Sequence, residues 1–283
     1  MQYFRFAGEC REYIKSLKYR GIKIGFVPTM GALHAGHISL VSQSKTDHLV
    51  TGCSLFVNPD QFNDKRDFEK YPRTEKEDVT MLEQSGCDFV FIPGADEIYP
   101  QGTPEKIPFD TIPFNNVMEG LSRPGHFRGV IRVVKRLFEI VEPDCAYFGE
   151  KDFQQLLVIK EMVNKLKLAV QITGCPTLRE QDGIAMSSRN ANLSPDERKA
   201  APLIYRTLLD AKAKIPALSV LQLKKWVIGK ISSDPKFRID YFEIAGETTL
   251  EPVAGWDHAQ PYRAFIATFL GTTRLIDNLR FSS

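Results

Sequence analysis

The sequence lacks the features that mark membrane, secreted and nucleic-acid-binding proteins. No apolar run is long enough to span a bilayer, and the first twenty or so residues mix charges throughout, unlike a signal peptide. The formal net charge is only +2, which is too small for a broad nucleic-acid-binding face. We therefore expect neither a membrane nor a nucleic acid as a partner.

The cysteines also exclude several kinds of site. The chain has Cys10, Cys53, Cys87, Cys145 and Cys175, and no two of them have the spacing of zinc ligands or of a redox pair. Scattered cysteines in odd number are typical of small buried apolar side chains in a reducing compartment. We expect a cytoplasmic protein, and no set of dedicated metal ligands stands out.

Short apolar segments alternate with helical patterns over residues 1–176, after an amphipathic N-terminal helix. Strands are predicted near 22–27, 48–58, 88–92, 145–148 and 168–175. The alternation predicts a Rossmann-like α/β fold, with a doubly wound parallel sheet of about five strands. Residues 99–125 interrupt it with repeated prolines, although 106–112 could form an edge strand.

The pattern changes at about residue 177, which predicts a domain boundary. Ser194, Pro195 and Glu197 form a strong helix start, and a second helix is expected over 220–231. Alternating segments at 238–245, 262–270 and 273–276 then read as antiparallel strands. We expect residues 177–283 to form a smaller C-terminal α+β domain.

A predicted strand, a turn with two glycines and a helix start follow one another between Gly25 and Val41. Such a turn can present backbone N–H groups to a phosphate, and Gly31 and Gly36 allow close approach of a ligand. His34 and His37 are three residues apart, so both lie on one face of the first helical turn, where imidazole can donate to phosphate oxygens. The two glycines do not have the spacing of a dinucleotide fingerprint, and a single histidine near a helix start is more often a cap or a solvated side chain, but two histidines with two glycines after a strand also fit a nucleotide site.

Further polar clusters follow other predicted strands, where ligands of an open parallel sheet bind. Asn58 and Gln61 can orient hydroxyl and carboxylate groups, but Asn-Pro-Asp is also an ordinary turn. A glycine turn at 148–155 carries Lys151, a mobile charge suited to phosphate, or merely a solvated helix start. Residues 186–190 offer two serines and Arg189 for a polyphosphate, or a polar linker.

The motifs PTMGALHAGH, FVNPDQF, YPRT, RPGHFRGV, FGEKDFQQ and MSSRN occur in this order between about residues 20 and 192. Together they resemble the signatures of the pantothenate synthetase (pantoate–β-alanine ligase) family. The HxGH element alone would indicate only the wider nucleotidyltransferase superfamily that includes class I aminoacyl-tRNA synthetases. The last 90 or so residues add little to the resemblance.

The resemblance implies a carbon–nitrogen ligase of coenzyme A biosynthesis that joins (R)-pantoate to β-alanine. It would use ATP and Mg²⁺, pass through an enzyme-bound pantoyl adenylate, and work as a homodimer. Because water would hydrolyse this intermediate, we expect the smaller domain to act as a lid hinged at 177–192. The implied catalytic residues are His34, His37, Lys151 and Arg189, with His37 as proton donor. The implied nucleotide-binding residues are Thr29, Met30, Gly31, Ala32, Leu33, His34, Ala35, Gly36, His37, Gly149, Glu150, Lys151, Asp152, Leu178, Met186, Ser187, Ser188 and Arg189, and the implied substrate-binding residues are Asn58, Gln61 and Gln155.

Some residues depart from the family pattern. Phe153 stands where the family usually has tyrosine, so a phenolic hydroxyl should not be essential there. Arg132 lies beside a helix start without an evident role. Two other functions remain open at this point: adenylation of another small carboxylic acid, and a non-catalytic nucleotide-binding module.

Overall fold

A computed structural model describes residues 1–47, 50–63, 65–100, 114–257 and 260–281, with the backbone alone at 65–67. The predicted edge strand at 106–112 lies outside these residues. One sheet contains β1 (Gln2–Phe4), β2 (Ile24–Thr29), β3 (Val50–Leu55), β4 (Phe89–Phe91), β5 (Cys145–Gly149) and β6 (Gln171–Cys175). All five pairings are parallel, in the order β1-β4-β3-β2-β5-β6.

This strand order confirms the doubly wound α/β fold. From β2 the chain proceeds outward to β3 and β4, then crosses to β5 and β6 on the other side of β2. The order therefore reverses between β2 and β5, and ligands of such sheets bind beyond the carboxyl ends of the strands at this point. Strand β1 was not predicted, because its three residues are mostly exposed and carry no alternation, and it is defined only by pairing with β4.

The described residues also form α-helices, several of which pack against the parallel sheet. They are α1 (Ala7–Tyr19), α2 (Ala35–Thr46), α3 (Lys65–Lys70), α4 (Glu75–Gln84), α5 (Ala95–Ile98), α6 (Met118–Ser122), α7 (His126–Val141), α8 (Phe153–Leu166), α9 (Pro195–Ala200), α10 (Leu203–Lys212) and α11 (Val220–Ser232). The predicted apolar stripe of α7 is buried, including Val130, Val134 and Leu137. Across the described ranges, no helix combines the length and the apolar character that a membrane crossing needs.

The C-terminal part contains a three-stranded antiparallel sheet of β7 (Phe237–Gly246), β8 (Tyr262–Leu270) and β9 (Thr273–Arg280), in that order. Leu208, Leu223 and Val227 from the helices pack with Ile244 and Ile266 from the sheet in one apolar core. The start of α9 has the predicted capping box, with Ser194 and Glu197 each accepting the other's backbone N–H. Helix α10, which was not predicted, begins immediately after Pro202.

The chain divides into two compact units. The first unit comprises Met1–Asn115, Arg123–Glu150 and Gln155–Pro176, and the second comprises Asn116–Ser122, Lys151–Gln154 and Thr177–Ser283. Two short segments that precede residue 177 thus belong to the second unit, and one of them contains Lys151.

Candidate active site

The turn that follows β2 is fixed by hydrogen bonds to its neighbour strand and to itself. The Thr29 hydroxyl donates to the carbonyl of Ser54 at 2.6 Å and accepts the N–H of Gly31 at 3.1 Å. Gly31 has φ of 75°, and a Cβ there would lie 3.0 Å from Asp78 Oδ2. Glycine is therefore required at this position both by the backbone conformation and by the buried carboxylate beside it.

Asp78, on the buried side of α4, holds this turn from behind. Its Oδ2 accepts the N–H of Ala32 at 2.9 Å, and its Oδ1 accepts the N–H of Leu33 at 2.8 Å. The hydroxyl of Thr74 also donates to Oδ1, at 3.1 Å. The sequence predicted that this turn presents N–H groups to a ligand, whereas those of Ala32 and Leu33 point to a carboxylate that is 2 % exposed.

His34 and His37 begin α2 by capping it reciprocally. Nδ1 of His34, the N-cap residue, accepts the N–H of Gly36 at 3.1 Å, and Nδ1 of His37 accepts the N–H of His34 at 3.3 Å. The ring centroids are 4.1 Å apart. The structure thus confirms that both imidazoles share the first helical turn.

The two caps also determine which nitrogen of each ring is a donor. A nitrogen that accepts a backbone N–H cannot carry a proton itself, so each neutral ring holds its proton on Nε2. Each neutral imidazole therefore accepts through Nδ1 and carries its N–H donor on Nε2. Such donors at a helix start suit anionic oxygens.

Asn58 and Gln61 lie next to each other in the turn after β3. Nδ2 of Asn58 donates to Gln61 Oε1 at 3.2 Å and to the carbonyl of Gly129 at 3.1 Å. Oδ1 of Asn58 accepts the N–H of Asp60 at 3.3 Å and the hydroxyl of Tyr99 at 3.0 Å. Burial raises the pKa of Tyr99, which keeps this hydroxyl a donor. The amide of Asn58 is thereby fully used within the fold, because it has two donor hydrogens and two lone pairs.

The amide of Gln61 is differently placed. Its Nε2 lies 2.7 Å from the sulfur of Met30, in the turn that carries the histidines. Thioether sulfur is a weak acceptor, so the donor capacity of this amide is poorly satisfied by the protein and suits a substrate oxygen. Gln61 and the histidine turn thus belong to one contiguous region of the first unit.

Helix α7 lies directly against the Asn58–Gln61 turn. A Cβ on Gly129 would come within 2.4 Å of the carbonyl oxygen of Asp60 and 2.7 Å of the N of Gln61. His126 Nδ1 lies 2.9 Å from the carbonyl oxygen of Gln61, and its Nε2 lies 3.2 Å from Nη1 of Arg123. Since a guanidinium can only donate, Nε2 accepts and Nδ1 donates, which makes this buried imidazole neutral.

Arg132, for which the sequence suggested no role, pairs with Asp60 in the same turn. The distance between Nη1 and Oδ2 is 3.2 Å. Arg132 therefore fastens the outer side of the turn to α7 and complements the contact at Gly129.

Lys151 lies in the 3₁₀ turn Glu150–Asp152, between the last residue of β5, Gly149, and helix α8, where Gln155 occupies the first turn. The carbonyl of Lys151 accepts a hydrogen bond from Nδ2 of Asn278, at 2.9 Å, within the second unit. Oδ1 of Asn278 in turn accepts from Nη1 of Arg263, at 2.6 Å. The guanidinium of Arg263 lies 3.9 Å from the ring centroid of Phe153, so this ring is a packing surface that needs no hydroxyl.

The Met186–Asn190 segment is held by a network of charged groups in the second unit. Glu180 accepts from Nδ2 of Asn190 at 2.9 Å and from Arg198 at 2.6 Å. Arg179 forms a bidentate pair with Asp277, at 2.7 and 2.9 Å.

Within that frame, the residues predicted to bind the nucleotide have defined positions. Ser187 caps the 3₁₀ turn Ser188–Asn192, with its Oγ accepting the N–H of Arg189 at 3.2 Å. The carbonyl of Leu178 accepts the N–H of Met186 at 3.0 Å, and the side chain of Leu178 is exposed. The segment therefore presents its serines and Arg189 from a rigid support.

Sequence reasoning missed the residues that hold these groups in place. Asp78 and Asn278 occur in none of the motifs, Gly129 lies in the motif RPGHFRGV but was assigned no role, and the partners of all three are distant in sequence. Only Asp78 carried a signal: it lies four residues before Leu82 on the buried face of α4, where an acidic residue needs partners.

Among the described residues, no group of three or more His, Cys, Asp or Glu side chains is arranged to hold a metal ion. The donors described above are instead imidazole, amide, ammonium and guanidinium groups, which are suited to phosphate and carboxylate oxygens.

Comparison with known proteins agrees with this chemistry. The family model described as pantoate-beta-alanine ligase matches residues 2–280. A protein named pantothenate synthetase from Bacteroides thetaiotaomicron is 47% identical over 268 residues, which cover 95% of this chain and 94% of the relative. The crystal structure of pantothenate synthetase from Thermus thermophilus is 39% identical, with a TM-score of 0.88 and full coverage of both chains.

A third relative was solved with ligands. The pantoate-beta-alanine ligase of Francisella tularensis, described as complexed with beta-gamma ATP and beta-alanine, is 33% identical to this chain. Its TM-score is 0.80, and the match covers 99% of this chain and 98% of that one.

Proposed function

The chain belongs to the pantoate–β-alanine ligase family, whose members are carbon–nitrogen ligases, and we propose that it condenses (R)-pantoate with β-alanine at the expense of ATP. A carboxylate oxygen of pantoate attacks the α-phosphorus, forming an O–P bond and releasing pyrophosphate. The amine of β-alanine then attacks the acyl carbon, loses a proton and displaces AMP. The product is pantothenate.

The first step needs alignment more than it needs a base, because the pantoate carboxylate is already a nucleophile. Negative charge collects on the leaving pyrophosphate, so donors aimed at the phosphate oxygens lower the barrier. We assign this role to the Nε2–H groups of His34 and His37, with the turn from Thr29 to Gly36 lining the nucleotide. His37 remains the proposed proton donor, and on this geometry the proton it shares is that on Nε2.

Pantoate is assigned to Gln61 and Gln155, whose amides can hold its hydroxyl and carboxylate groups. The contact of Gln61 Nε2 with Met30 supports this, because it leaves a donor beside the histidine turn. Asn58, with its amide fully used, contributes by orienting Gln61.

The remaining nucleotide contacts are assigned to residues of the glycine turn and of the second unit. Lys151, Ser187, Ser188 and Arg189 would hold the phosphate chain, with Gly149, Glu150 and Asp152 lining the turn. Leu178, through its backbone, and Met186 would lie near the base. Ammonium, guanidinium and hydroxyl donors fit a polyphosphate.

Mg²⁺ would accompany ATP and neutralise part of the phosphate charge. Because the described side chains form no three-ligand cluster, we propose that phosphate oxygens and water supply most of its ligands. The chain's own contribution is then to position the phosphates.

The observation that carries the proposal is the reciprocal histidine cap at the start of α2, joined through Met30 to the amide of Gln61. The test is an assay for AMP with ATP and pantoate, with and without β-alanine, together with exchange of labelled pyrophosphate into ATP. We expect pantoate-dependent exchange without β-alanine, and AMP release with it. Exchange supported only by another carboxylic acid, or absence of both signals, would replace this proposal by one of the alternatives.

A pair of substitutions separates the two functions of His37. Asparagine places its oxygen near the position of Nδ1, whereas glutamine places its amide near that of Nε2. If the Nε2–H donor is needed, His37→Asn should slow exchange about a hundredfold, and His37→Gln should retain more activity. Thermal melting of both variants measures how much stability is lost with the hydrogen bond that Nδ1 of His37 accepts in the cap.

Two further features belong to the same proposal. The second unit acts as a lid, hinged at 177–192, that keeps water from the adenylate. Limited proteolysis with and without ATP and pantoate tests this. The protein forms a homodimer, testable by sedimentation equilibrium.

The cellular location proposed is the cytoplasm. The five cysteines are unpaired and buried. Burial raises the pKa of Cys10 and Cys87 to about 12 and that of Cys175 to about 11. Thiols in this state are unreactive at neutral pH, as expected of structural cysteines in a reducing compartment.

A further inference from the structure

We infer that Asp78 is a positioning residue for the His34–His37 pair: it sets the path of the turn so that both imidazoles present Nε2–H to the phosphates. This inference rests on the proposed function, in which the two histidines bind ATP. Asp78 itself contacts the turn and Thr74, and it acts on the reaction only through the turn.

The hydrogen bonds of the Asp78 carboxylate are directed mainly at the turn. Asp78 is 2 % exposed, and a buried carboxylate is unfavourable unless its oxygens are hydrogen bonded. Two of its three hydrogen bonds go to consecutive N–H groups, those of Ala32 and Leu33. These amides immediately precede His34, so the carboxylate restrains the chain on the N-terminal side of the cap.

The restraint matters because the turn has an unusual backbone. Gly31 and Ala32 have φ of 75° and 50°, and alanine rarely adopts a positive φ without support. The carboxylate binds the N–H of Ala32 and so stabilises this conformation. It directs the chain so that His34 reaches φ of −145°, the extended conformation from which Nδ1 can accept the N–H of Gly36.

The arrangement also accounts for a carboxylate close to a site for anions. If the N–H groups of Ala32 and Leu33 faced the ligand, they would bind phosphate directly. With Asp78 binding them from behind, the donors at this turn become the imidazoles, which extend further than a backbone amide. Asp78 thus takes up two backbone N–H groups of the turn. The imidazoles, which reach further and whose tautomer is fixed, act as donors in their place.

The main test compares Asp78→Asn with Asp144→Asn. In the first variant an NH₂ group replaces one of two acceptor oxygens and meets a backbone N–H. The control makes the same change at the start of β2, where Asp144 Oδ2 accepts the N–H of Ile24 at 2.7 Å and the oxygen of asparagine can still accept that bond. Imidazole ¹⁵N chemical shifts, assigned with His34 and His37 variants, report the tautomers without any substrate.

We expect wild type and Asp144→Asn to show unprotonated Nδ1 and protonated Nε2 in both rings. Asp78→Asn should show averaged nitrogen shifts for His34 at least. In pyrophosphate exchange by folded protein, Asp78→Asn should raise the KM for ATP about tenfold and lower kcat, with the KM for pantoate within about twofold of wild type. Partial unfolding would lower kcat and leave both KM values unchanged.

Wild-type ¹⁵N shifts and a wild-type KM for ATP in Asp78→Asn would overturn the inference and leave Asp78 a purely structural residue. If that variant does not fold, Thr74→Val decides, since it removes one bond to Oδ1 and keeps the carboxylate. A displaced His34 shift with a two- to threefold rise in the KM for ATP supports the inference, and no change in either overturns it. If wild type shows no exchange, the proposed function fails, while the ¹⁵N shifts still test the role of Asp78.

Discussion

The side-chain amide of Asn278 donates a hydrogen bond to the backbone carbonyl of Lys151, at 2.9 Å, across 127 residues of sequence. Lys151 directly follows the parallel sheet in sequence, yet its backbone is held by the last strand of the antiparallel sheet. The position of this proposed phosphate ligand therefore depends on the fold of the second unit.

Asn278→Asp tests that dependence. Aspartate keeps an oxygen for Arg263 but cannot donate to Lys151. Since loss of a buried hydrogen bond costs about 1–3 kcal/mol, we expect pyrophosphate exchange to fall about tenfold or more. Circular dichroism should show a folded protein, and exchange at the wild-type rate would show that this bond does not position Lys151.

Gly129→Ala should impair pantoate binding. The added Cβ would overlap the backbone of Asp60 and Gln61, which cannot rotate away as a side chain can. The turn must shift, and we expect the KM for pantoate to rise about tenfold or more. The matched control is Gly229→Ala in α11, where a Cβ meets nothing within 4 Å.

The control variant should be stabilised by up to about 1 kcal/mol, because alanine favours helix over glycine. A Gly129→Ala enzyme with the pantoate KM of wild type would show that α7 can retreat from the turn.

Glu119→Gln should destabilise the second unit. Arg274 binds both oxygens of this buried carboxylate, at 3.0 and 2.6 Å, and the Tyr241 hydroxyl donates to it at 2.8 Å. Burial opposes the charge of Arg274, but the hydrogen bonds with Glu119 outweigh it and raise its pKa. Glu119→Gln leaves the buried guanidinium paired with the more exposed Asp240, so we expect a loss of up to about 3 kcal/mol in urea unfolding.

Asp240→Asn is the comparison, since Asp240 binds the same guanidinium at 2.8 Å from a more exposed position. Its loss should cost less than about 1 kcal/mol. Equal losses of unfolding free energy in the two variants would mean that the burial of Glu119 does not increase its contribution to stability.

Asp182 should give the protein a small acid-sensitive contribution to stability. The Arg198 guanidinium holds the pKa of Asp182 below its ordinary value of 3.8. A lowered folded-state pKa means that the stabilisation is complete above the unfolded pKa and disappears as pH falls through the folded one. Because the pair is partly exposed, we expect about 0.5 kcal/mol.

The measurement is the difference in unfolding free energy between wild type and Asp182→Asn at pH 6 and at pH 2.5. We expect the difference to shrink at the lower pH. Asp196→Asn, in an exposed pair with Lys199, controls for the loss of one negative charge. A difference that is the same at both pH values would contradict the assigned pKa shift.

Much of this protein was determined by features that are local in sequence. The alternation of strands and helices predicted the doubly wound sheet, since each period reflects which side of a single element is buried. His34 and His37 could be placed on one face because three residues of helix separate them. The ordered motifs indicated the family because each of them is a contiguous stretch of sequence.

Tertiary structure alone decided which distant groups support those motifs. Asp78 binds amides 45 and 46 residues away, and Asn278 reaches Lys151 from the other end of the chain. Likewise, Arg132 pairs with Asp60, and glycine is required at position 129 by the backbone of Asp60 and Gln61, 68 or more residues away. Hydrogen bonding and steric exclusion act through space, so no local pattern in the sequence reveals which distant residue is the partner.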